Sequence, residues 1–402
     1  MTQKLLIAGS GFAGMWAALA AARAAALNDR DGELDIVVVS PAAELCIRPR
    51  LYETAFDEMN PALGPLFAAV GIRHVAALVE AIDTAKHEIV VVDAAGVRST
   101  LTYDRFVLAT GSTVFTPDVP GLQEHSFNVD QFANAVSLDR HLHALADEPP
   151  GDARNTVVIA GGGFTGIETA ADMPQRLRAI FGDDANSRVV ILEQADALGP
   201  DLGAGPRPQI SAALSDLGVE VRTATAVTAI AADSVTTSSG ERIATRTVVW
   251  TAGARANPLA AQLAGEHDRY GRVHADRELR AKGVDDVFVT GDVAAAATDD
   301  AGNTTLMSCQ HALSLGRIAG HNAAAELLGL PTMPYSQPKY VTCLDLGPWG
   351  AVYTEGWERE VKLERAEAKA LKRSINTQWI YPPAADRDTA FAAADPAFVV
   401  VA

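Results

Sequence analysis

Two copies of one glycine pattern predict an α/β fold that binds two dinucleotides. Gly9-Ser10-Gly11-Phe12-Ala13-Gly14 follows an apolar run and opens an alanine-rich segment, and Gly161-Gly162-Gly163-Phe164-Thr165-Gly166 recurs in the same setting. Around them lie short, continuous apolar runs of the kind that parallel strands buried on both faces require. A lone glycine fingerprint is weak evidence; two, each set between a strand and a helix, imply two dinucleotides. With 402 residues, 48% of them apolar, the chain can fill more than one core.

In order along the chain, residues 4–8 read as a buried strand and 13–27 as a helix. In such a unit the first glycine makes the tight turn, the second lets the backbone approach a pyrophosphate, and the third allows close packing of the helix. The helix N-terminus adds amide donors and a favourable dipole. Residues 34–39 form the next strand, ending at Ser40, where an acid usually binds ribose hydroxyls; Glu44, four residues on, is the candidate substitute. Residues 74–79 and 88–93 read as strands bracketing a turn, with Val79 counted among the cofactor-lining positions. Residues 105–109 end in Ala109-Thr110-Gly111, a further close approach of backbone to a cofactor, and 114–121, with Pro117 and Pro120, form a linker.

The second unit begins with a strand at 156–160, and its next strand, 188–192, ends in Glu193. A carboxylate there accepts hydrogen bonds from free 2′ and 3′ hydroxyls and repels a 2′-phosphate, and neither Gln194 nor Ala195 offers a cation, so NADH is favoured over NADPH. Residues 248–250 run into Thr251-Ala252-Gly253. Residues 287–290 run into Gly291-Asp292, a carboxylate at a strand end that suits hydrogen bonding to a polyol. The apolar spacing over 308–328 is helical, with Ser308 as N-cap. Residues 331–338 then separate a final region containing Trp349, Trp357 and Trp379.

Fifty acidic against 33 basic residues, a net charge of -17, argue against general affinity for nucleic acid or anionic membrane. No charged and apolar leader precedes the first strand, and no apolar run is long enough to span a bilayer, which points to the cytoplasm. The three cysteines, Cys46, Cys309 and Cys343, contain no CxxC pair, so neither a metal site nor a disulfide framework is expected.

Taken together, these motifs make the chain resemble flavoproteins with two dinucleotide-binding domains and, among them, the type II NADH dehydrogenases, which are NADH:quinone oxidoreductases. The resemblance rests on residues 9–14, on 161–168, on 248–253 with Arg255-Ala256-Asn257-Pro258-Leu259, and on 287–292, and covers roughly residues 1–325. It implies two Rossmann-like domains, the NADH domain (116–260) inserted into the FAD domain (1–115 and 261–330), plus a small C-terminal α+β region (331–402). The FAD pyrophosphate would lie at Gly9, Gly11, Phe12, Ala13 and Gly14, with Ser40, Arg48, Val79, Ala109, Thr110 and Gly111 around the cofactor. Gly291 and Asp292 would hold the ribityl chain, and the backbone of Cys309-Gln310-His311 would face the pyrimidine end of the flavin. NADH would sit on Gly161, Gly163, Phe164, Thr165 and Gly166, with Ala252 and Gly253 alongside and Glu193 on its ribose. Glu168 would stand near nicotinamide and flavin, its plainer reading being an acid at a helix N-terminus. The activity implied is hydride transfer from NADH to flavin N5, then passage of two electrons to a quinone-like acceptor, in a homodimer at most loosely held on the inner face of the membrane.

Some residues depart from the family pattern. Ser314 and Leu315 stand where the family has two glutamines near its quinone site. The stretch 362–379, with Lys369, Lys372 and Arg373, is too short and too charged to insert into a membrane and reads as a solvated helix. Cys46 lies where related reductases keep a redox cysteine, but without a partner; a buried structural thiol is the alternative. Arg48 and Arg50 flank Pro49 and suit an anionic acceptor, an FAD phosphate or the surface. His311 is a candidate proton donor. Tyr340, Trp349 and Trp379 are candidates to line an acceptor pocket or to pack the last region. Oxygen, peroxide, a carrier protein or a biosynthetic metabolite are the alternative acceptors, and a flavin-sensing regulatory protein is the non-enzymatic alternative.

Overall fold

The computed structural model describes residues 2–398. Five parallel strands form the largest sheet, in the order Val287–Val289, Arg105–Leu108, Gln3–Ala8, Leu34–Ser40, Arg73–Ala76. Leu5, Leu6, Ile7, Val107, Leu108 and Phe288 are wholly buried, as a sheet covered on both faces demands. The helices Phe12–Ala26 and Cys309–Leu328 pack against each other on this sheet. A Cβ at Gly316 or Gly320 would run into the carbonyl of Ala13 or Ala17. The alanine-rich sequence of the first helix and the two glycines of the second therefore serve a single close crossing. The second helix starts at the expected cap, the Ser308 hydroxyl accepting from the His311 amide at 3.3 Å.

The second parallel sheet has the order Val219–Arg222, Arg188–Leu192, Thr156–Ala160, Thr247–Trp250. In each sheet the glycine turn and the acid or hydroxyl after the next strand fall at the C-terminal edge, because parallel strands all end on one side. The chain crosses between the two sheets twice, and the crossings pair: Ser112–Val114 runs antiparallel to Ala254–Ala256. A third layer is formed by the strands Val341–Asp345, Ala351–Glu355 and Glu360–Glu364 with the helix Arg365–Ser374.

Two local expectations are corrected. Residues 74–79 are not one strand. Arg73–Ala76 belongs to the parallel sheet, the Ala77 amide makes the last bond to Ser40, and Leu78–Asp83 turns away to pair antiparallel with Glu88–Val92. Nor is 362–379 a solvated helix. It comprises the end of the last strand, the helix, and a widened turn at Ile375–Trp379; Lys369 and Lys372 reach the buried carboxylates of Asp345 and Glu168, while Lys362 stays exposed beside Glu360. Among the described residues no helix is long and apolar enough to cross a membrane, and no cluster of metal-ligating side chains occurs.

Candidate active site

The first glycine turn is shaped by steric need. Gly9 has φ +106°, a Cβ there would strike the Ala109 carbonyl, and a Cβ on Gly14 would fall on the carbonyl of Gly9. Gly11 faces open space, with nothing within 4 Å of its missing side chain. Phe12 and Ala13 begin the helix behind it and are buried. Across the cradle, Asp292 accepts from the Ser112 hydroxyl at 2.7 Å and faces Arg48 Nη1 at 3.4 Å. Arg48 also reaches Ser112 at 3.2 Å and pairs with Asp130. Gly111 lies against that guanidinium, and Gly291 against Ala13. Thr110 and Thr290 keep buried hydroxyl oxygens without partners, and a buried polar atom left so asks for a ligand. Open space over Gly11, a carboxylate braced at a strand end and these unpaired hydroxyls fit a dinucleotide with a polyol chain.

Ser40 is turned away from that space. Its hydroxyl donates to the Ala42 carbonyl at 2.6 Å and meets His74 Nε2 at 2.9 Å. Glu44 is exposed and its backbone pairs with Ala62. Val79 is half-buried, in the antiparallel sheet. Arg50 is buried in a separate cluster with Glu53, Glu58 and Tyr381.

The second turn repeats the first. Gly161 has φ +117°, Gly166 abuts the Gly161 carbonyl and the Thr251 hydroxyl, and Gly163 again faces open space. Phe164 is half-buried, Thr165 is exposed, and Ala252 and Gly253 lie at the adjoining strand end. Glu193 sits on the turn itself, its two oxygens accepting from the amides of Gly162 at 2.6 Å and Ala195 at 2.7 Å.

Glu168, only 4% exposed, stands in the first turns of the helix Phe164–Phe181 that opens from the second cradle. One of its oxygens lies 2.8 Å from the ammonium of Lys372 and accepts from the Asp345 amide at 2.9 Å. Burial pushes the Glu168 carboxyl up to about 7, against the pull of Lys372. Burial also works against the charge on Lys372, but Glu168 outweighs it and holds the lysine above its ordinary value. The Lys372 ammonium lies 5.6 Å from the centre of the Phe164 ring. Burial pushes the Cys309 thiol, at the start of the other helix, up to about 11, Lys372 pulls it down, and Asp292 and Glu168 push it further up.

His311 is fully buried, with Nδ1 2.8 Å from the Leu306 amide and Nε2 without a partner. Burial lowers it to about 4, so near neutrality it is an uncharged hydrogen-bonding group. Its ring stacks on Tyr340 at 4.8 Å, Tyr340 stacks on Trp357 at 5.2 Å, and Arg359 covers Tyr340 at 4.4 Å. The Gln310 side chain accepts from the Val341 amide at 3.4 Å and ties this helix start to the C-terminal strand. Trp349 bonds Asp216 and Trp379 is 57% exposed, so of the three aromatic candidates Tyr340 alone is brought to His311. Burial pushes the Cys46 thiol up to about 11, and it has no cysteine partner, which leaves it a poor nucleophile near neutrality.

Lys372, Asp345, Asp130 and Tyr340's stacking partner Trp357 are the contributors that motif reading passed over. For Lys372 a signal was present: it lies four residues after the fully buried Ala368, on the inward face of its helix.

The family model for pyridine nucleotide-disulphide oxidoreductases matches residues 3–316. An NADH dehydrogenase-like protein of Mycobacterium tuberculosis is 46% identical over 94% of this chain and 94% of its own. A type II NADH:quinone oxidoreductase of Staphylococcus epidermidis is 26% identical, covering 69% of this chain and 71% of its own. Among solved structures, NDH2 from Plasmodium falciparum in complex with NADH superposes with a TM-score of 0.77 at 13% identity, covering 98% of this chain and 97% of that one, a likeness of fold. The chain belongs to the pyridine nucleotide-disulphide oxidoreductase family, among its NADH dehydrogenase-like members.

Proposed function

We propose that the protein is an FAD-dependent NADH:quinone oxidoreductase, with FAD in the first cradle and NADH in the second. The observation that carries this reading is the repeated glycine turn, open over Gly11 and over Gly163, each with a carboxylate at its strand edge, Asp292 in one and Glu193 in the other. Bound there, FAD would supply the two-electron chemistry between nicotinamide and quinone. The chain supplies binding, orientation and protons. The amide-lined turns around Gly11 and Gly163 take the two pyrophosphates. Asp292, held by Ser112 and Arg48, takes polyol hydroxyls, and Thr110 and Thr290 offer further hydrogen bonds. Glu193 exchanges its bonds to Gly162 and Ala195 for the ribose hydroxyls of NADH. The unpaired Nε2 of His311 would be free to hydrogen-bond the bound flavin.

Reduction of a quinone to a quinol needs two electrons and two protons. Hydride brings both electrons and one proton, so one more must come from the protein. Lys372 can donate it at Nζ and meet the developing oxyanion with its charge, while Glu168, with its raised carboxyl, restores the proton. We divide the chain accordingly into FAD segments 1–115 and 261–330, an NADH domain 116–260, and a C-terminal region 331–402 whose role is to deliver Lys372. The paired crossings at Ser112–Val114 and Ala254–Ala256 support that division. Contact with a quinone-bearing membrane is peripheral in this reading.

The test is anaerobic reduction of the bound flavin by NADH and by NADPH, followed by mixing with a short-chain quinone or with oxygen. The expected result is preference for NADH and faster reoxidation by quinone. Oxygen outpacing quinone would sink the quinone assignment.

A further inference from the structure

Asp345 is buried at the end of the strand Val341–Asp345, 6% exposed, and every polar atom it has toward the interior is engaged. Its amide donates to Glu168. One carboxylate oxygen accepts from the Gly347 amide at 2.8 Å and faces the Lys369 ammonium at 2.5 Å; the other accepts from the Tyr52 hydroxyl at 3.1 Å. Tyr52 is itself buried, which pushes its hydroxyl well above the ordinary tyrosine range, and the Glu168 and Asp345 carboxylates push it further up. Three parts of the chain thus meet at one strip: Tyr52 from the first segment, Glu168 and Asp172 from one face of a helix four residues apart, and Asp345, Lys369 and Lys372 from the C-terminal region.

The strip has one wet end. Glu168 and Lys372 are almost wholly buried, whereas the Lys369 side chain is 34% exposed. Lys369 and Lys372 lie three residues apart on one helix, so they point the same way, and each holds a different carboxylate. Asp172 is half-buried beside Arg176, with Asp345, Lys369 and Glu53 as its other charged neighbours, and burial pushes it up to about 6. Glu53 is in turn held by Arg50 and Asn376. A dry catalytic pair that must regain a proton in every cycle needs such a connection to water.

We propose that Asp345, with Lys369 and Tyr52, forms the proton-supply branch of the Glu168–Lys372 pair, with Lys369 as its entrance from solvent. This rests on the reading given above, in which NADH, one solvent proton and a quinone become NAD and a quinol. The solvent proton enters at Lys369, passes to Asp345, moves through the Tyr52 hydroxyl toward Glu168, and replaces the proton that Lys372 gave to the acceptor oxygen. No electrons move along the branch. Asp345 and Lys369 are positioning residues, since neither touches the reacting atoms.

The variants Asp345→Asn, Lys369→Met and Tyr52→Phe in the FAD-loaded full chain test the branch, with Lys362→Met, an exposed lysine paired with Glu360, as control. Expected in D345N and K369M is flavin reduction by NADH within about twofold of wild type, reoxidation by quinone slowed on the order of tenfold, and a larger solvent deuterium effect on that second step. Y52F should slow the same step at least as much, since the Tyr52 hydroxyl links Asp345 to Glu168 along the branch. Independent of turnover, infrared difference spectra should show the Glu168 carboxyl band titrating at a displaced pH in D345N and K369M but not in the control. Equal slowing of both half-reactions would indicate mere structural damage and overturn the branch, as would unchanged reoxidation in all three variants. If D345N does not fold, K369M and Y52F decide in the same terms. If quinone fails to reoxidise even the wild-type flavin, the quinone assignment falls, and the infrared titration alone decides the branch: no displacement overturns it.

Discussion

The two glycine cradles share one backbone shape and close in opposite ways. In the first, the strand after the turn ends in Ser40, which faces inward to Ala42 and His74, and the cradle is braced from three distant segments through Arg48, Asp130 and Asp292. In the second, the corresponding strand ends in Glu193, which folds back onto the turn without help from another segment. A brace assembled by tertiary folding suits a cofactor that stays, whereas a single carboxylate that can swap amides for hydroxyls suits a nucleotide that comes and goes. On the proposed assignment, one fingerprint serves two residence times, set by its surroundings.

Breaking the two turns separately should give the largest effects. A Cβ at Gly14 or Gly166 collides with the carbonyl that closes its own turn. Gly14→Ala should lose FAD and, with it, most of the folded protein. Gly166→Ala should keep its flavin while its KM for NADH rises about 100-fold or more, the loss of a well-made site. Flavin content after gel filtration and steady-state kinetics separate these outcomes. Removing the Glu193 carboxylate by Glu193→Ala should weaken NADH by on the order of 10- to 100-fold, the worth of charge-assisted hydrogen bonds. Discrimination against NADPH should fall with it, which competition between the two nucleotides measures.

Acid offers a third way to sharpen the contrast. The folded value of His311 is lowered to about 4 by burial, below its unfolded value of 6.5. Between those values the unfolded chain binds the extra proton, so the contribution is intact above about pH 6.5 and is lost as pH falls toward 4, up to about 3 kcal/mol. Glu168 runs the other way: its carboxyl is raised to about 7, so the folded chain holds the proton between 4.5 and 7 and stability falls as pH rises through that window. Thermal melts of wild type and His311→Gln at pH 7 and pH 4.5 should differ mainly at the lower pH. Smaller effects follow. Asp130→Asn removes one of the two carboxylates that hold Arg48, in a partly exposed setting, and should raise FAD dissociation about 5- to 10-fold, seen as flavin release on dilution. Cys46→Ser should leave NADH oxidation unchanged with every acceptor, and a lost peroxide activity would restore the thiol to the mechanism.

What could be read in advance was whatever a local backbone constraint imposes. Gly9, Gly14, Gly161 and Gly166 are dictated within a few residues, and Glu193 and Asp292 follow because parallel strands end at one edge. The strand switch at Ala77 left no trace, since neither glycine nor proline marks it. Ser40 was visible, but the direction of its hydroxyl depends on His74 in a neighbouring strand. The Glu168–Lys372 and Arg48–Asp130 pairs join residues far apart in sequence, and no periodicity within either partner's own segment specifies the other. Charge made matters worse for Lys372: in a run of lysines and glutamates it reads as a solvated face, and only its spacing from Ala368 hints that it turns inward.

In the proposed reading one chain holds a resident FAD in the first cradle and an exchanging NADH in the second. Anaerobic titration of the purified protein with NADH, followed by gel filtration, tests it most directly. The expected result is that one NADH per flavin bleaches the flavin absorbance, that NAD separates from the protein, and that FAD stays with it. A protein that carries FAD which NADH does not bleach, or that releases FAD along with NAD, would contradict it.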